Sequence, residues 1–305
     1  MLRFFSDPPG KLASVEETRA GFDRQGDWLT HEPAPDVVRR TTTVRGPAGP
    51  ITCEQHRPRR LGTAAAPALL FFHGGGHVAG SLTSHRSVCR QLAADGECVV
   101  LAVDYRLAPE DPFPAGIDDS LSAYDAVVGD AAALGLDPDR IAVGGDSAGG
   151  NVAAVVAQQR RAADHPPRFQ ILWAPWLDLS KQSASYESFA RGFFLEKPKM
   201  EWYTDRYLPT DAEALDPRVS PLLGDVTDVC PAAILVAGFD PLRDEGLAYG
   251  RKLAEAGVSV VATTYEGLVH PFINFGGCVP AASAAFDDAT ALLRSHLATS
   301  DATPS

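Results

Sequence analysis

From residue 67 onward the chain alternates two patterns, and that alternation narrows the folds open to it. Short apolar runs occur at Ala68–Phe72, Cys98–Val103, Ile141–Val143, Phe169–Trp173, Ala233–Ala237 and Val258–Thr263. Longer stretches of helical periodicity separate them, at Thr83–Ala94, Ala115–Ala133, Asn151–Ala163, Leu242–Ala256 and Ala281–Leu297. Unbroken apolar strands are buried on both faces, and strand–helix alternation supplies the helices that cover them. The expected class is α/β, with a mostly parallel sheet between two helical layers. Before this region, Val37–Val44 and Ile51–Arg57 flank Gly46–Pro50 and read as a hairpin. Ser14-Val-Glu-Glu17 has capping-box spacing and predicts a helix start, with Leu12, Val15, Phe22 and Leu29 giving a partly apolar face. One gap breaks the alternation. Roughly fifty residues lie between Trp176 and Cys230, with a helix-like stretch at Pro198–Tyr207. That is too long for a plain loop and predicts an inserted cap over about 180–215.

The junction at 144–151 reads Gly-Gly-Asp-Ser-Ala-Gly-Gly-Asn. An apolar strand-like run precedes it and an Ala/Val helix-like run follows. Gly145–Gly149 matches G-x-S-x-G, the turn that lifts a serine hydroxyl above the carboxyl edge of a sheet. The flanking glycines are needed because a side chain there would strike the neighbouring strand or helix. A glycine-rich turn without chemistry has the same composition, as does a phosphate loop. However, no Gly-Lys-Ser/Thr follows, and the strand–turn–helix context favours Ser147 as a nucleophile.

Serine needs a base, and the base needs an orienting acid. Of eight histidines, His270 follows the last strand, after the segment Tyr265–Val269 expected to be a loop. His296 falls in the final helix and is expected at the surface; His31, His56 and His165 have polar neighbours and are expected to be exposed. Asp240 ends the run Ala232–Phe239. Asp244 and Glu245 fall in the next helix, where compensation of the helix dipole accounts for them. The order Ser147, Asp240, His270 is the α/β-hydrolase order. His73-Gly-Gly-Gly76 follows another strand, and its glycines allow backbone N–H groups to approach a developing oxyanion.

These residues resemble the bacterial hormone-sensitive-lipase-like branch of the α/β-hydrolases, marked by Gly-Asp-Ser-Ala-Gly. The resemblance covers nearly all of 35–298. It rests on His73–Gly76, Asp104–Glu110, Phe113-Pro-Ala, Gly145–Asn151, Asp240–Glu245 and His270-Pro-Phe272. It implies oxyanion donors at the N–H groups of Gly75, Gly76 and Ala148, with Tyr105–Glu110 and Asp146 as supports. It also implies a cap made jointly by the N-terminal helices, within 1–35, and the insertion. The catalytic domain would span 36–298 and the tail 299–305 would be disordered. A homodimer through the strand near Val258–Thr263 follows from the same resemblance. After His-Gly-Gly-Gly the family has an aromatic or large apolar residue, whereas this chain has His77, which would line the substrate pocket.

Composition closes off other classes. A formal net charge of −12 speaks against nucleic acid and anionic membrane as partners. Five widely spaced cysteines without a Cys-x-x-Cys pair make a zinc site unexpected and suggest reduced, mostly buried thiols in a cytoplasmic protein. No apolar run reaches the roughly 18 residues of a membrane span, and the first residues, which lack a continuous apolar stretch, are not expected to act as a secretory signal. No cofactor or metal is implied. The expected activity is hydrolysis of short- to medium-chain acyl esters through an acyl-enzyme. An amidase or arylformamidase on the same scaffold is the alternative, and a non-catalytic receptor is disfavoured by the intact triad. The insertion is densely charged, and its few large apolar residues suit the roof of a pocket. Phe194 and Leu195 are expected to point inward and shorten the acyl channel.

Overall fold

The computed structural model describes residues 13–26 and 34–298. The first helix, α1 (Val15–Gly26), opens with the expected capping box. The Ser14 N–H donates to Glu17 Oε2 at 2.9 Å, and the Glu17 N–H donates to Ser14 Oγ at 3.1 Å. Leu12, Leu29, His31 and the tail 299–305 lie outside the described residues.

Strands β1 (Val37–Gly46) and β2 (Gly49–Pro58) pair antiparallel as the expected hairpin. Gly46 pairs with Gly49, so the turn is only Pro47-Ala48 and the strands run further than the apolar residues alone indicated. Then follow β3 (Ala66–Phe72), α2 (Arg86–Gly96), β4 (Val99–Val103), α3 (Ala115–Gly129), α4 (Ala131–Leu134), β5 (Leu136–Asp146), α5 (Ala148–Gln159) and β6 (Gln170–Trp173). The insertion carries α6 (Ala184–Ser188) and α7 (Lys197–Tyr207), and the chain closes with β7 (Ala232–Phe239), α8 (Arg243–Glu255), β8 (Val260–Val269) and α9 (Pro280–Leu297). The sheet order is β1-β2-β4-β3-β5-β6-β7-β8. All pairings are parallel except those of β2 with β1 and β4.

Successive side chains of a strand point to opposite faces, and here both faces are buried. In β3, Ala68, Leu70 and Phe72 join one core with α3, α5 and α8. Leu69 and Phe71 join the other, with α2 and α9. Nearly all of α5, from Ala148 to Gln158, is buried. Its Ala, Gly and Val side chains let it lie directly under the sheet, as expected of a helix apolar all round.

Two expectations on boundaries need correction. The stretch Ala115–Ala133 is two helices, because α3 ends at Gly129 and Asp130 caps both it and α4. Tyr265–Val269 is not a loop: β8 continues to Val269 and pairs with β7 past an irregularity between Ala237 and Phe239. As the edge strand it is partly exposed, and Glu266 and Gly267 interrupt the apolar pattern of its far half.

Helix α1 is tied to three parts of the body. Arg19 donates to the carbonyls of Val78 (2.9 Å) and Ala108 (3.0 Å) and pairs with Glu110 (2.6 Å). Ser81 Oγ donates to Asp23, and Lys199 of α7 donates to Thr18 Oγ1 at 2.9 Å. No helix among the described residues is long and apolar enough to cross a membrane.

Candidate active site

Ser147 sits between the end of β5 and the first residue of α5, with φ 56° and ψ −120°. A non-glycine residue rarely adopts such a backbone and does so only where its surroundings impose it. Here three hydrogen bonds do: the Ser147 N–H donates to Trp173 O (2.9 Å), and the Ser147 carbonyl accepts from Asn151 N–H and Trp176 N–H (both 3.1 Å). Asn151 then locks the next segment, donating from Nδ2 to the carbonyls of Trp176 (2.8 Å) and Val219 (2.7 Å). The two motif glycines lie against backbone. A Cβ on Gly145 would stand 2.3 Å from Phe72 O, and one on Gly149 2.0 Å from the same atom. The crowding expected from the sequence is therefore present and traces to the end of β3.

Ser147, Asp240 and His270 all follow the carboxyl ends of parallel strands, β5, β7 and β8, and so share one edge of the sheet. Asp240 is fully buried. Its Oδ1 accepts the Leu242 N–H at 2.8 Å, and its Oδ2 accepts the Nδ1–H of His270 at 2.9 Å. That bond holds the imidazole in the tautomer whose Nε2 can take a proton. His270 is also among the groups that act on the charge of Asp146, the residue before Ser147.

The glycine run after β3 is bent back on itself. Gly75 has φ 126° and Gly76 φ 64°. The Val78 and Ala79 N–H groups return to the Gly75 carbonyl at 3.2 and 2.8 Å. A Cβ on Gly76 would lie 2.3 Å from Tyr203 Cγ, so a ring of α7 rests directly on this glycine. Among the described residues the Gly75 and Gly76 N–H groups meet no acceptor, and that of Ala148, at the start of α5, has no intrahelical one. Tyr105 supports the run, donating from Oη to His73 O at 2.7 Å and stacking on the His73 ring at 4.6 Å. Burial, and then the neighbouring His85, lower the pKa of His73 to about 4.

His77 is buried, and its ring stacks on Tyr207 at the end of α7. Burial, followed by His73, lowers its pKa to about 3. Phe194 takes φ 74° and meets Phe275 edge-on at 5.5 Å, five residues beyond His270. Leu195 packs against the opposite core from Phe194. Phe189 and Phe193 instead gather on Phe239, the residue before Asp240.

Three polar residues depart from expectation. His56 is fully buried, with Nε2 3.1 Å from Glu54, because β2 lies inside the sheet despite its polar sequence. His296 is half-buried and stacks on Phe169 at 4.0 Å. Glu245 does not compensate the α8 dipole from the surface: it is buried and accepts the N–H groups of Leu177 and Asp178. Burial pushes its pKa well above the usual carboxylate range.

The sequence pattern of one family, described as an alpha/beta hydrolase fold, matches residues 69–274. The chain belongs to the alpha/beta hydrolase fold family. The resemblance to its hormone-sensitive-lipase-like branch is borne out by its relatives. Ethyl acetate hydrolase of Pseudomonas putida is 37% identical over 95% of this chain and 92% of its own length. Carboxylesterase NlhH of Mycobacterium tuberculosis is 41% identical, covering 97% of this chain and 88% of that protein. Among solved structures, a thermophilic and thermostable carboxylesterase from a metagenomic library superposes with a TM-score of 0.89 at 38% identity. It covers 94% of this hydrolase, which covers 99% of it.

Proposed function

We propose that this hydrolase is a serine carboxylesterase acting on short- to medium-chain acyl esters. The observation that carries the proposal is the Asp240–His270 hydrogen bond on the sheet edge that also carries the strained Ser147. His270 takes the Ser147 proton as the hydroxyl attacks the ester carbonyl. The Gly75, Gly76 and Ala148 N–H groups receive the oxyanion, and because they are fixed by the backbone they cost no reorganisation as charge develops. The alcohol leaves with the proton from His270, and water then releases the acid from the acyl-enzyme by the same steps. The relatives named as ester hydrolases support this class of substrate.

We assign α1 and the 180–215 insertion to one cap, on the strength of the Lys199–Thr18 tie between them. Phe194, Leu195 and the buried His77 form its inner lining in this proposal. Each methylene that fits adds about 0.8 kcal/mol, until overpacking against that wall lowers the rate. The optimum is about four to eight acyl carbons. The half-exposed edge strand β8 is the proposed homodimer contact. Five free cysteines, three of them buried, support a reducing, cytoplasmic setting. The test is kcat/KM for aryl esters of increasing acyl length, with a matched amide and emulsified triolein alongside. A rate that climbs through the longest chains, a jump at the triolein interface, or an amide preferred over its ester overturns the assignment.

A further inference from the structure

Asp146 occupies a position that the triad does not explain. It is 2% exposed, and its Oδ1 accepts the Gly74 N–H at 2.9 Å. A Cβ on Gly74 would stand 2.3 Å from its Oδ2, so the carboxylate lies directly on the glycine run. One side chain thus spans from the residue before the nucleophile to the residue before the oxyanion glycines. His85, also 2% exposed, brings Nε2 to 3.2 Å from the same Oδ1. Burial works against the charge of Asp146, but His85 and the Gly74 N–H more than offset it and hold its pKa below the ordinary value.

His85 is itself anchored. Its Nδ1 is 2.9 Å from Ser84 Oγ, which accepts the Ser81 N–H at 2.9 Å. Ser81 Oγ donates to Asp23 of α1. The ring of His85 lies 5.7 Å from that of His73 and 6.1 Å from that of Phe71. The chain of contacts therefore runs from α1 through Ser81, Ser84, His85 and Asp146 to Gly74. Charge-assisted contacts inside a low-dielectric interior are strong and directional, and this one joins two segments 72 residues apart in sequence.

We propose that His85 and Asp146 are positioning residues for the oxyanion hole. They set the separation between the Ser147–Ala148 turn and the Gly75–Gly76 N–H groups, and so act on the transition state and not on ground-state binding. This inference rests on the esterase reading. Loss of a whole oxyanion donor costs about 10²–10³-fold in kcat, and displacing donors that remain present costs less.

The test uses the full chain and p-nitrophenyl butyrate. His85→Phe keeps a ring of similar size in the pocket but removes the contact with Asp146. The expected result is a kcat lowered about 10- to 100-fold with KM within about threefold, judged against that donor loss. Affinity for a trifluoromethyl ketone, whose hemiketal oxyanion needs the same N–H groups, falls in parallel. His85→Gln restores a donor and recovers most of both. Asp146→Asn, which keeps an acceptor for Gly74 but removes the charge, supplies a second reading if His85→Phe does not fold. It is expected to lower kcat and ketone affinity together at unchanged KM. Unchanged kcat and ketone affinity in the folded variants overturns the inference. So does an equal loss in His85→Phe and His85→Gln that follows a fall in Tm. A parent chain that hydrolyses no ester counts instead against the esterase reading.

Discussion

His77 lies flat on Tyr207, ring centroids 3.9 Å apart and planes 7° from parallel. The stack buries an imidazole whose Nε2 has no hydrogen-bond partner among the described residues. With a folded pKa of about 3 against about 6.5 in the unfolded chain, His77 binds a proton on unfolding at mildly acid pH. Its contribution to stability is therefore intact above about pH 6.5 and is lost as pH falls toward the folded value. At pH 5 the loss amounts to about 2 kcal/mol for this one group. His77→Phe keeps the stack and removes the titration. Urea melts from pH 7 to 5 should show a shallower loss of stability in the variant. Equal slopes in the two proteins would show that His77 is not buried as a neutral ring.

Glu245 titrates with the opposite sign. Its folded pKa is raised, first by burial and then by Asp178 and Asp240. Its contribution is greatest below the ordinary value of 4.5 and is lost as pH rises toward the folded one. Glu245→Gln keeps an oxygen for the Leu177 and Asp178 N–H groups and should gain stability relative to the parent as pH is raised from 4.5. Glu245→Leu leaves those donors orphaned and should cost about 1–3 kcal/mol. Denaturant midpoints for the three proteins across pH 4.5–8 check both statements.

Ser147→Ala should leave the fold and Tm nearly unchanged, because three backbone hydrogen bonds impose the turn without the hydroxyl. Turnover should fall on the order of 10⁶-fold, as in other triad knockouts. Ester hydrolysis above a few per cent of the parent, measured with contaminating hydrolases excluded, would remove Ser147 from its role.

Gly149→Ala should fail for a different reason. The new methyl would meet the carbonyl oxygens of Phe72 at 2.0 Å and His73 at 2.6 Å, both of them backbone. No rotamer change relieves that contact, so β3 or α5 must move, at a cost of about 1–3 kcal/mol or more. Thermal melts and activity should decline together, whereas in Ser147→Ala only activity declines. A Gly149→Ala protein with parental Tm and kcat would contradict the packing described.

The candidate triad was legible because each member follows a strand that announces itself as an apolar run: Ile141–Val143 before Ser147, Ala233–Ala237 before Asp240 and Val258–Thr263 before His270. The far half of β8 was not legible, since Glu266 and Gly267, exposed at the sheet edge, break its apolar run and read as a loop. His56 misled for a related reason. Its neighbours Glu54, Gln55 and Arg57 look like surface, but Glu54 is neutralised by Arg86, 32 residues away in sequence. The contacts of His85 and Glu245 likewise join distant segments, and no local pattern encodes them. In each case a polar residue was buried beside a partner that sequence proximity does not reveal.

Tyr203 rests on Gly76, and this limits how such an enzyme can diversify. In the proposed site, where Gly76 supplies an oxyanion donor beneath the cap, a roof remodelled to admit a bulkier acid shifts the ring on that donor, so selectivity and speed are inherited together. Chimaeras that take the insertion from one relative and the sheet from another should acquire the donor's preferences while matching neither parent in turnover, until the Tyr203–Gly76 contact is refitted.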